Sequence, residues 1–352
     1  MTKTNSGNFF EDFHVDMEIF HATPRTVTTG DVALYTALYG GRFAVQSADS
    51  FAQSIGYERS PVDDLLVFHI VFGKTVPDIS LNAIANLGYA GMRFLQPVYP
   101  GDTLHAVSRV IGVKETSKGD SGIVYVSSRG FNQDDEPVLE YVRWVLVRKR
   151  AAASPAPEAV VPTLPAALTP EQLGDAVPFI EATEWNADLS GSPHFFEDYK
   201  VGEHIDHVDG FTIEEAEHQL ATRLYQNTAK VHFNQHTEGQ GRFGRRLVYG
   251  GHVISMVRSI TFNGLGNAFH FAAVNGGRHV NPAFAGDTIY AWSEITDAQE
   301  LAGREGTGAL RVRSVGVKNR SCADFPLFAE GTSYDASVVL DLDYWVLMPR
   351  RG

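Results

Sequence analysis

The sequence has very little cysteine: Cys322 is the single thiol among 352 residues. A lone cysteine can form neither an intrachain disulfide nor a cysteine-based metal site. The chain also lacks an excess of positive charge, because 29 Lys and Arg residues against 42 Asp and Glu residues give a net charge of −13. Since general binding to nucleic acid or to an anionic membrane needs a basic surface, the sequence predicts neither partner.

Other common patterns are missing as well. No apolar run approaches the ~20 residues of a membrane-spanning helix. The N-terminal MTKTNSGNFFEDF has no apolar stretch of signal-peptide type. Gly-rich dinucleotide loops, Walker patterns and metal-binding patterns are also absent. We therefore expect a soluble, cytoplasmic protein without a metal site.

The chain does contain an internal repeat. The segment FFEDF at 9–13 matches FFEDY at 195–199, and the same offset of 186 pairs Leu38-Tyr39 with Leu224-Tyr225 and Gln46 with His232. Later, GDT at 101–103 matches 286–288, and WVL at 144–146 matches 345–347. These collinear matches predict two copies of one domain, at 1–150 and 191–352. An Ala/Pro-rich stretch at 151–190 joins them and reads as a semi-extended linker.

Both copies show the same order of elements. An amphipathic helix comes first; in the second copy Thr212 and Glu215 form a capping-box pattern, and Ala216, Leu220 and Leu224 are expected to share its buried face. A long apolar helix follows, and β-rich runs end each copy. The predicted helices are Asp64–Val76 and Gly251–Phe262, and the predicted strands are Thr103–Val113, Gly122–Phe131, Val138–Val147, Thr288–Ile295, Ala309–Lys318 and Ser337–Met348. A buried helix wrapped by an antiparallel sheet predicts an α+β fold in each copy.

Asn227 and His232 are the first candidates for chemistry. They lie five residues apart in a polar segment just after the amphipathic helix, where an amide and an imidazole could face one point. Histidine suits proton transfer near neutral pH. The alternative is an unreactive histidine bonded to the backbone.

The segment Val248-Tyr249-Gly250-Gly251-His252 is the second candidate. Glycines at a helix N-terminus let a ligand approach the free N–H groups, which can hold an oxygen that gains negative charge. The alternative is a tight loop that needs a positive φ. The first copy has Val62-Asp63-Asp64 here, and two carboxylates would repel an oxyanion. Because the first copy lacks both the histidine and the glycines, we expect one working site, in the second copy.

Basic residues of the second copy form the third candidate set. They could neutralise phosphates or a substrate carboxylate, or they could be solvated surface charges. The set comprises Lys230, Arg245, Arg246 and Arg278, together with Arg93, which matches Arg278 in the first copy.

These residues resemble the MaoC-like, hydratase-2 branch of the hot-dog-fold superfamily. The family pattern Asp-x-Asn-Pro-x-His would fall on Asn227–His232, and the family's oxyanion glycine on Gly250. The resemblance implies a tandem hot-dog fold whose degenerate first half makes room for an acyl group. Asn227 replaces the family aspartate, and Ala229-Lys230 replace Asn-Pro. Because asparagine cannot be a base, either His232 carries the proton or a carboxylate such as Glu217 or Asp63 supplies the missing group.

Four longer segments make the resemblance closer, to hydratases whose enoyl-CoA carries a second carboxylate. They are TPRTVTTGDVALYTALYGGRFAVQ, DDLLVFHIVFGKTVPDISLNAIANLGY, QNTAKVHF and VYGGHVISMVRSITFNGLGNA. The implied reaction is reversible syn hydration of an α,β-unsaturated CoA thioester, with CoA as part of the substrate and no cofactor.

The resemblance also implies roles for the candidate residues. His232 would activate water and return a proton, Asn227 would hold the water, and Gly250 with Gly251 would bind the thioester oxygen. The remaining candidates would contact substrate: Tyr249 and His252 at the site, Arg245 and Arg246 on CoA phosphates, and Arg278, Arg93 or Lys230 on the second carboxylate.

Three alternative functions stay open from the sequence. They are hydration of another enoyl-CoA such as itaconyl-CoA, hydrolysis of the thioester by a hot-dog thioesterase, and acyl-CoA binding without catalysis. The oligomeric state is also open, because exposed faces of a two-copy chain could still pair into a homodimer.

Overall fold

The computed structural model describes residues 3–174, 176, 178, 180–329 and 331–351. The strands in these residues are β1 (Glu18–Thr26), β2 (Ala83–Phe94), β3 (Thr103–Glu115), β4 (Ser121–Phe131), β5 (Pro137–Arg148), β6 (His204–Asp206), β7 (Phe211–Thr212), β8 (His270–His279), β9 (Thr288–Glu300), β10 (Thr307–Lys318) and β11 (Val338–Pro349). The α-helices are α1 (Thr29–Tyr39), α2 (Ala44–Ser47), α3 (Asp49–Ser54), α4 (Asp64–Thr75), α5 (Pro170–Gly174), α6 (Ala187–Ser190), α7 (Glu215–Leu224), α8 (Lys230–Phe233), α9 (Gln235–Glu238), α10 (Gly250–Ile260) and α11 (Phe262–Leu265).

The strands form one continuous antiparallel sheet. Its order is β1-β3-β4-β5-β2-β8-β11-β10-β9-β6, and β7 also pairs with β9. The two copies meet where β2 pairs with β8, with Tyr89 opposite Gly277 and Arg93 opposite Ala273. Read from either edge inward, the two halves of the sheet have the same order. The molecule is therefore a pseudo-twofold pair with a shared sheet.

Individual hydrogen bonds repeat between the halves. The hydroxyls of Thr26 and Thr103 are 2.8 Å apart, and so are those of their counterparts Thr212 and Thr288. The two halves also share a buried chain in which a histidine Nε2 contacts a serine that contacts a second serine. It is His21–Ser108–Ser128 in the first half and His207–Ser293–Ser314 in the second. The duplication predicted from the sequence is confirmed at the level of single contacts.

Each half has one central helix against the concave side of the sheet. In α4 every residue from Leu65 to Thr75 is buried, and in α10 the burial runs from Gly251 to Arg258. Asp63 caps α4 by accepting a 2.9 Å hydrogen bond from the Leu65 N–H. Both helices begin and end within two residues of the predicted bounds. The predicted α+β architecture is confirmed.

The interpretation of α7 was wrong in two respects. Thr212 belongs to β7 and bonds Thr288, so it caps nothing, and the N-cap residue Glu214 makes no side-chain cap. The face expected to be buried is exposed at Ala216 and Leu220. The face that is buried instead contains His218, Gln219, Ala221, Thr222 and Leu224. The buried face of this helix is partly polar because it covers the candidate site. A search for regularly spaced apolar residues therefore could not identify which face is buried.

The stretch at 151–190 is more structured than the linker predicted. Val160 forms a β-bridge with Val113, and the stretch contains α5 and α6. Leu168, Leu173 and Ala176 are buried in one cluster with Trp185 and Phe269. The same cluster contains Phe51 and Ile55 of the first half, so this stretch packs against both halves. The boundaries of the two copies stay a prediction. In the described residues, no helix is long and apolar enough to cross a membrane.

Candidate active site

His232 lies on the short helix α8, which overhangs the start of α10. Its Nδ1 is 2.9 Å from the Leu247 carbonyl oxygen, which can only accept a hydrogen bond. Nδ1 therefore carries the proton, and Nε2 keeps a free lone pair. Burial lowers the pKa of His232 to about 4, so the ring is neutral at pH 7. This tautomer is the one required of a base that acts through Nε2.

Gly250 and Gly251 form the first turn of α10. In the described residues neither N–H group has an acceptor, as expected for the first positions of a helix. A Cβ on Gly250 would lie 2.3 Å from the His279 ring, and one on Gly251 would lie 2.4 Å from the Tyr249 ring and 2.5 Å from the His69 ring. Neither glycine has a positive φ. Close approach of rings, rather than a strained turn, explains both glycines, and it leaves two N–H donors for an oxyanion.

His218 is a site residue that the sequence analysis missed. Its Nε2 accepts a 2.9 Å hydrogen bond from the Tyr249 N–H, which fixes the backbone just before Gly250. Its ring centroid is 6.5 Å from that of His232 and 5.5 Å from that of His252. The repeat carried a usable signal: His218, His232 and His252 align with Val32, Gln46 and Leu66, whereas the structural His207 aligns with His21.

Five histidines crowd around the start of α10, and all are neutral at pH 7. Burial lowers the pKa of His218 to about 2, of His69 and His252 to about 3, and of His232 and His279 to about 4. Among the described residues, no group of three or more His, Cys, Asp or Glu side chains is arranged to hold a metal ion. The cluster is therefore a low-dielectric, uncharged environment in which developing charge interacts strongly with nearby dipoles.

Two candidates have partners inside the protein. Asn227 is buried, and its Oδ1 accepts a 3.2 Å hydrogen bond from the Ala229 N–H, which turns the chain into α8. His252 is buried in α10 with Nδ1 2.7 Å from the Tyr39 hydroxyl. His252 approaches His218, with 5.5 Å between the two ring centroids. The contacts of Asn227 and His252 with water or substrate stay a prediction.

The structure places Asp63 away from His232. It lines a different pocket, at the start of α4, together with Gln46 and Arg258. Burial raises the pKa of Asp63 to about 6. Since Gln46 and Asp63 align with His232 and Tyr249, this pocket is the first-half counterpart of the candidate site, and the suggestion that Asp63 assists His232 was wrong. Glu217 is half-buried on α7, next to His218 in sequence.

The basic candidates divide into two groups. Arg93 pairs with Glu140 at 2.6 Å and donates to the Gln172 carbonyl. Arg278 is exposed on β8, where the alternation of side chains directs it to the face opposite His279. The structure brings neither of these to the histidine cluster, because both point to the convex face of the sheet.

The other three basic residues lie on the segments that flank His232. Lys230 is exposed at the start of α8, Arg245 stacks 4.1 Å over the Phe284 ring, and Arg246 pairs with Glu215 at 2.5 Å. The position of Arg245 and Arg246 beside the site is compatible with the predicted contacts to CoA phosphates. Those contacts, and the predicted contact of Lys230 with the second carboxylate, stay predictions.

Comparisons with known proteins agree with this architecture. A family model described as mesaconyl-CoA hydratase matches residues 1–161. The chain is 64% identical to the β-methylmalyl-CoA dehydratase of Chloroflexus aurantiacus, over 99% of each chain. It is 55% identical to the mesaconyl-CoA hydratase of Cereibacter sphaeroides, over 99% of this chain and 100% of that one.

Solved structures support the fold. A MaoC domain dehydratase from Chloroflexus aurantiacus superimposes with a TM-score of 0.97 at 62% identity, covering all of both chains. A double-hot-dog protein from Mycobacterium tuberculosis superimposes with a TM-score of 0.75 at 21% identity, covering 97% of this chain and 99% of that one. The predicted tandem hot-dog fold is confirmed. With these relatives matching over nearly its whole length, the chain belongs to the mesaconyl-CoA hydratase family.

Proposed function

We propose that this protein catalyses the reversible hydration of mesaconyl-CoA to β-methylmalyl-CoA. The observation that carries the proposal is the pairing of a neutral histidine with free backbone donors. His232 Nε2 has a lone pair, and the N–H groups of Gly250 and Gly251 lack acceptors in the described residues. This combination suits addition of water to a conjugated thioester. The names of the close relatives supply the substrate.

The reaction begins with water and the thioester. His232 Nε2 accepts a proton from water as the water oxygen bonds to the β-carbon. The C=C electron pair moves to the α-carbon and the thioester oxygen, which becomes enolate-like. The N–H groups of Gly250 and Gly251 hold that oxygen, and loss of one such donor typically costs about 10²–10³ in rate.

The proton then returns to the α-carbon from the same nitrogen. Because the water oxygen and the proton both approach the double bond from the side of His232, the addition is syn. The low pKa of about 4 makes the protonated ring a strong acid, which favours this return. The negative enolate stabilises the imidazolium during its short lifetime. Asn227 would hold the water through its amide group.

The test is an assay on the purified protein with mesaconyl-CoA. Loss of the conjugated enoyl-thioester absorbance is followed with a thiol reagent present, and the product is weighed by mass spectrometry. We expect loss of absorbance, no free thiol and a product heavier by one water. Release of free CoA would instead indicate a thioesterase. Faster turnover of crotonyl-CoA or itaconyl-CoA than of mesaconyl-CoA would overturn the substrate assignment.

A further inference from the structure

Arg143 is a fully buried cation without a counter-anion. Its exposed fraction is 0%, and Nη2 donates a 2.7 Å hydrogen bond to the Thr75 hydroxyl. Its Nε and Nη1 atoms are buried and have no hydrogen-bond partner in the described residues. Among those residues the ionisable groups that act on its charge are the tyrosines Tyr141, Tyr89 and Tyr249, and no carboxylate is one of them. Its guanidinium lies 4.2 Å from the centre of the Phe72 ring.

An unpaired buried arginine destabilises the protein when no substrate is bound. A buried charge is normally paired, and an unpaired one costs several kcal/mol even after relaxation. The cation–π contact with Phe72 offsets only part of that cost, at about 2 kcal/mol. The other buried arginine of the core, Arg258, differs in this respect, because it donates to the Ala268 carbonyl and the charges of Asp63 and Asp64 favour its cationic form. The two nitrogen atoms of Arg143 that lack hydrogen-bond partners therefore point to an anion supplied from outside the chain.

Arg143 belongs to the first half but faces the second-half site. It lies on the inward face of β5, directly opposite Tyr89 of β2. The Tyr89 hydroxyl is 3.4 Å from Nε2 of His279, the ring that packs against Gly250. On the other side, the Phe72 ring beneath Arg143 is 5.8 Å from the Tyr249 ring, which is 5.5 Å from His232. Two aromatic rings thus separate Arg143 from each part of the reaction centre, and the acyl group would have to extend between these rings.

The second half has no such cation at the equivalent place. The matching segments WVL at 144–146 and 345–347 align Arg143 with Tyr344. The Tyr344 hydroxyl is 2.8 Å from the Ser314 hydroxyl, so its polar atom is satisfied within the protein. The cation is therefore a feature of the half that has lost the histidine and the glycines, and that half would receive the acyl group.

The geometry points to a carboxylate as the missing anion. A buried guanidinium forms strong, charge-assisted hydrogen bonds with carboxylate oxygens, and a carboxylate supplies the negative charge that the site lacks. We propose that Arg143 binds the second carboxylate of the acyl group and thereby selects a dicarboxylic enoyl-CoA. This inference rests on the proposed function. In it the acyl group lies between the Tyr89 and Tyr249 rings, with the thioester oxygen at Gly250 and the distal carboxylate at an unpaired N–H group of the Arg143 guanidinium.

The test compares two substrates in two variants. Arg143→Met keeps the approximate length of the side chain and removes its charge. Arg258→Met makes the same change at the buried arginine that already has partners inside the protein. kcat/KM is measured with mesaconyl-CoA and with crotonyl-CoA, which lacks the second carboxylate. We expect Arg143→Met to lower kcat/KM for mesaconyl-CoA by about 10²–10³ and to change that for crotonyl-CoA less than about threefold. Arg258→Met should leave the ratio between the substrates unchanged.

Thermal unfolding separates a binding role from a structural one. Removal of an uncompensated buried charge should leave the melting temperature of Arg143→Met equal to or above that of the wild type. If Arg143→Met does not fold, Arg143→Lys keeps a cation with a shorter reach and should still lower selectivity for mesaconyl-CoA by at least tenfold. Equal losses for both substrates, or no loss for either, would overturn the inference. The proposed function is judged separately, on the wild-type turnover of mesaconyl-CoA.

Discussion

At the scale of single residues, the contrast between His232 and Gln46 is the basis for expecting only one active half. Both side chains are tethered by a nitrogen to a backbone carbonyl, His232 to Leu247 and Gln46 to Phe269, each at 2.9 Å. The imidazole keeps a second nitrogen with a lone pair, whereas the amide keeps only an oxygen that is not a base. The same tether thus produces a base in one half and a structural contact in the other.

Gly250→Ala tests the close approach at the start of α10. The new Cβ would lie 2.3 Å from the His279 ring, so the ring or the helix start must move. Because a displacement of about 1 Å can cost 10²-fold in rate, we expect kcat to fall by about that factor. Steady-state kinetics with mesaconyl-CoA provide the measurement.

Gly41→Ala is the control for this change. Gly41 lines the first-half pocket that corresponds to the candidate site, and a Cβ at this position would lie in open space. The kcat of Gly41→Ala should therefore stay within about twofold of the wild-type value. Equal rates for wild type and Gly250→Ala would show that the position of His279 against the helix start does not matter for the reaction.

At the scale of elements, α4 of the first half supports the site of the second. The Gly73 backbone is so close to the Tyr225 carbonyl that a Cβ at this position would lie 1.7 Å from the oxygen. Tyr225 begins the loop that carries Asn227 and leads to α8. The first half therefore supports the segment that leads to His232 through a helix–backbone contact that only glycine permits.

Gly73→Ala should break this contact. Backbone atoms cannot rotate away as a side chain can, so we expect a loss of at least 1–3 kcal/mol in the free energy of unfolding, which is about the cost of overpacking a core. Chemical denaturation measures it. Gly30→Ala in α1 is the matched helical control, because its Cβ would meet only ordinary contact at 3.5 Å and alanine favours helix. A similar stability for both variants would contradict the proposed support.

The element scale also shows what the sequence could and could not predict. The repeat, both central helices and the six β-rich runs were predictable, because they depend on local pattern. β8 was missed because its residues from His270 to Asn275 are all buried, so they show no alternation. β2, which pairs with β8 at the centre of the shared sheet, was also not predicted. Arg143 and His218 were missed because their roles depend on which strand and helix lie opposite them.

At the scale of the whole molecule, the histidine cluster links stability to pH. Burial lowers the pKa of His69 and His252 to about 3 and that of His218 to about 2, against an unfolded value near 6.5. A histidine with a lowered folded pKa stabilises the protein fully above pH 6.5. This contribution is lost as the pH falls below 6.5 toward the folded pKa, because the unfolded chain then binds more protons.

The expected result is a melting temperature that drops between pH 6.5 and pH 5. Each buried histidine should contribute a slope of up to about 1.4 kcal/mol per pH unit to the free energy of unfolding. His69→Gln removes one titrating group and should make the melting temperature depend less steeply on pH. A slope that is the same in the variant and the wild type would show that His69 does not titrate on unfolding.

The central claim is that one half of a duplicated molecule performs the hydration. It is tested most directly by measuring kcat/KM for mesaconyl-CoA in His232→Ala and in Gln46→Ala. We predict a loss of at least 10²–10⁴ for His232→Ala, which removes the proposed general base, and a change of less than about fivefold for Gln46→Ala. Equally large losses in the two variants would contradict the account, because they would mean that both halves take part in the chemistry.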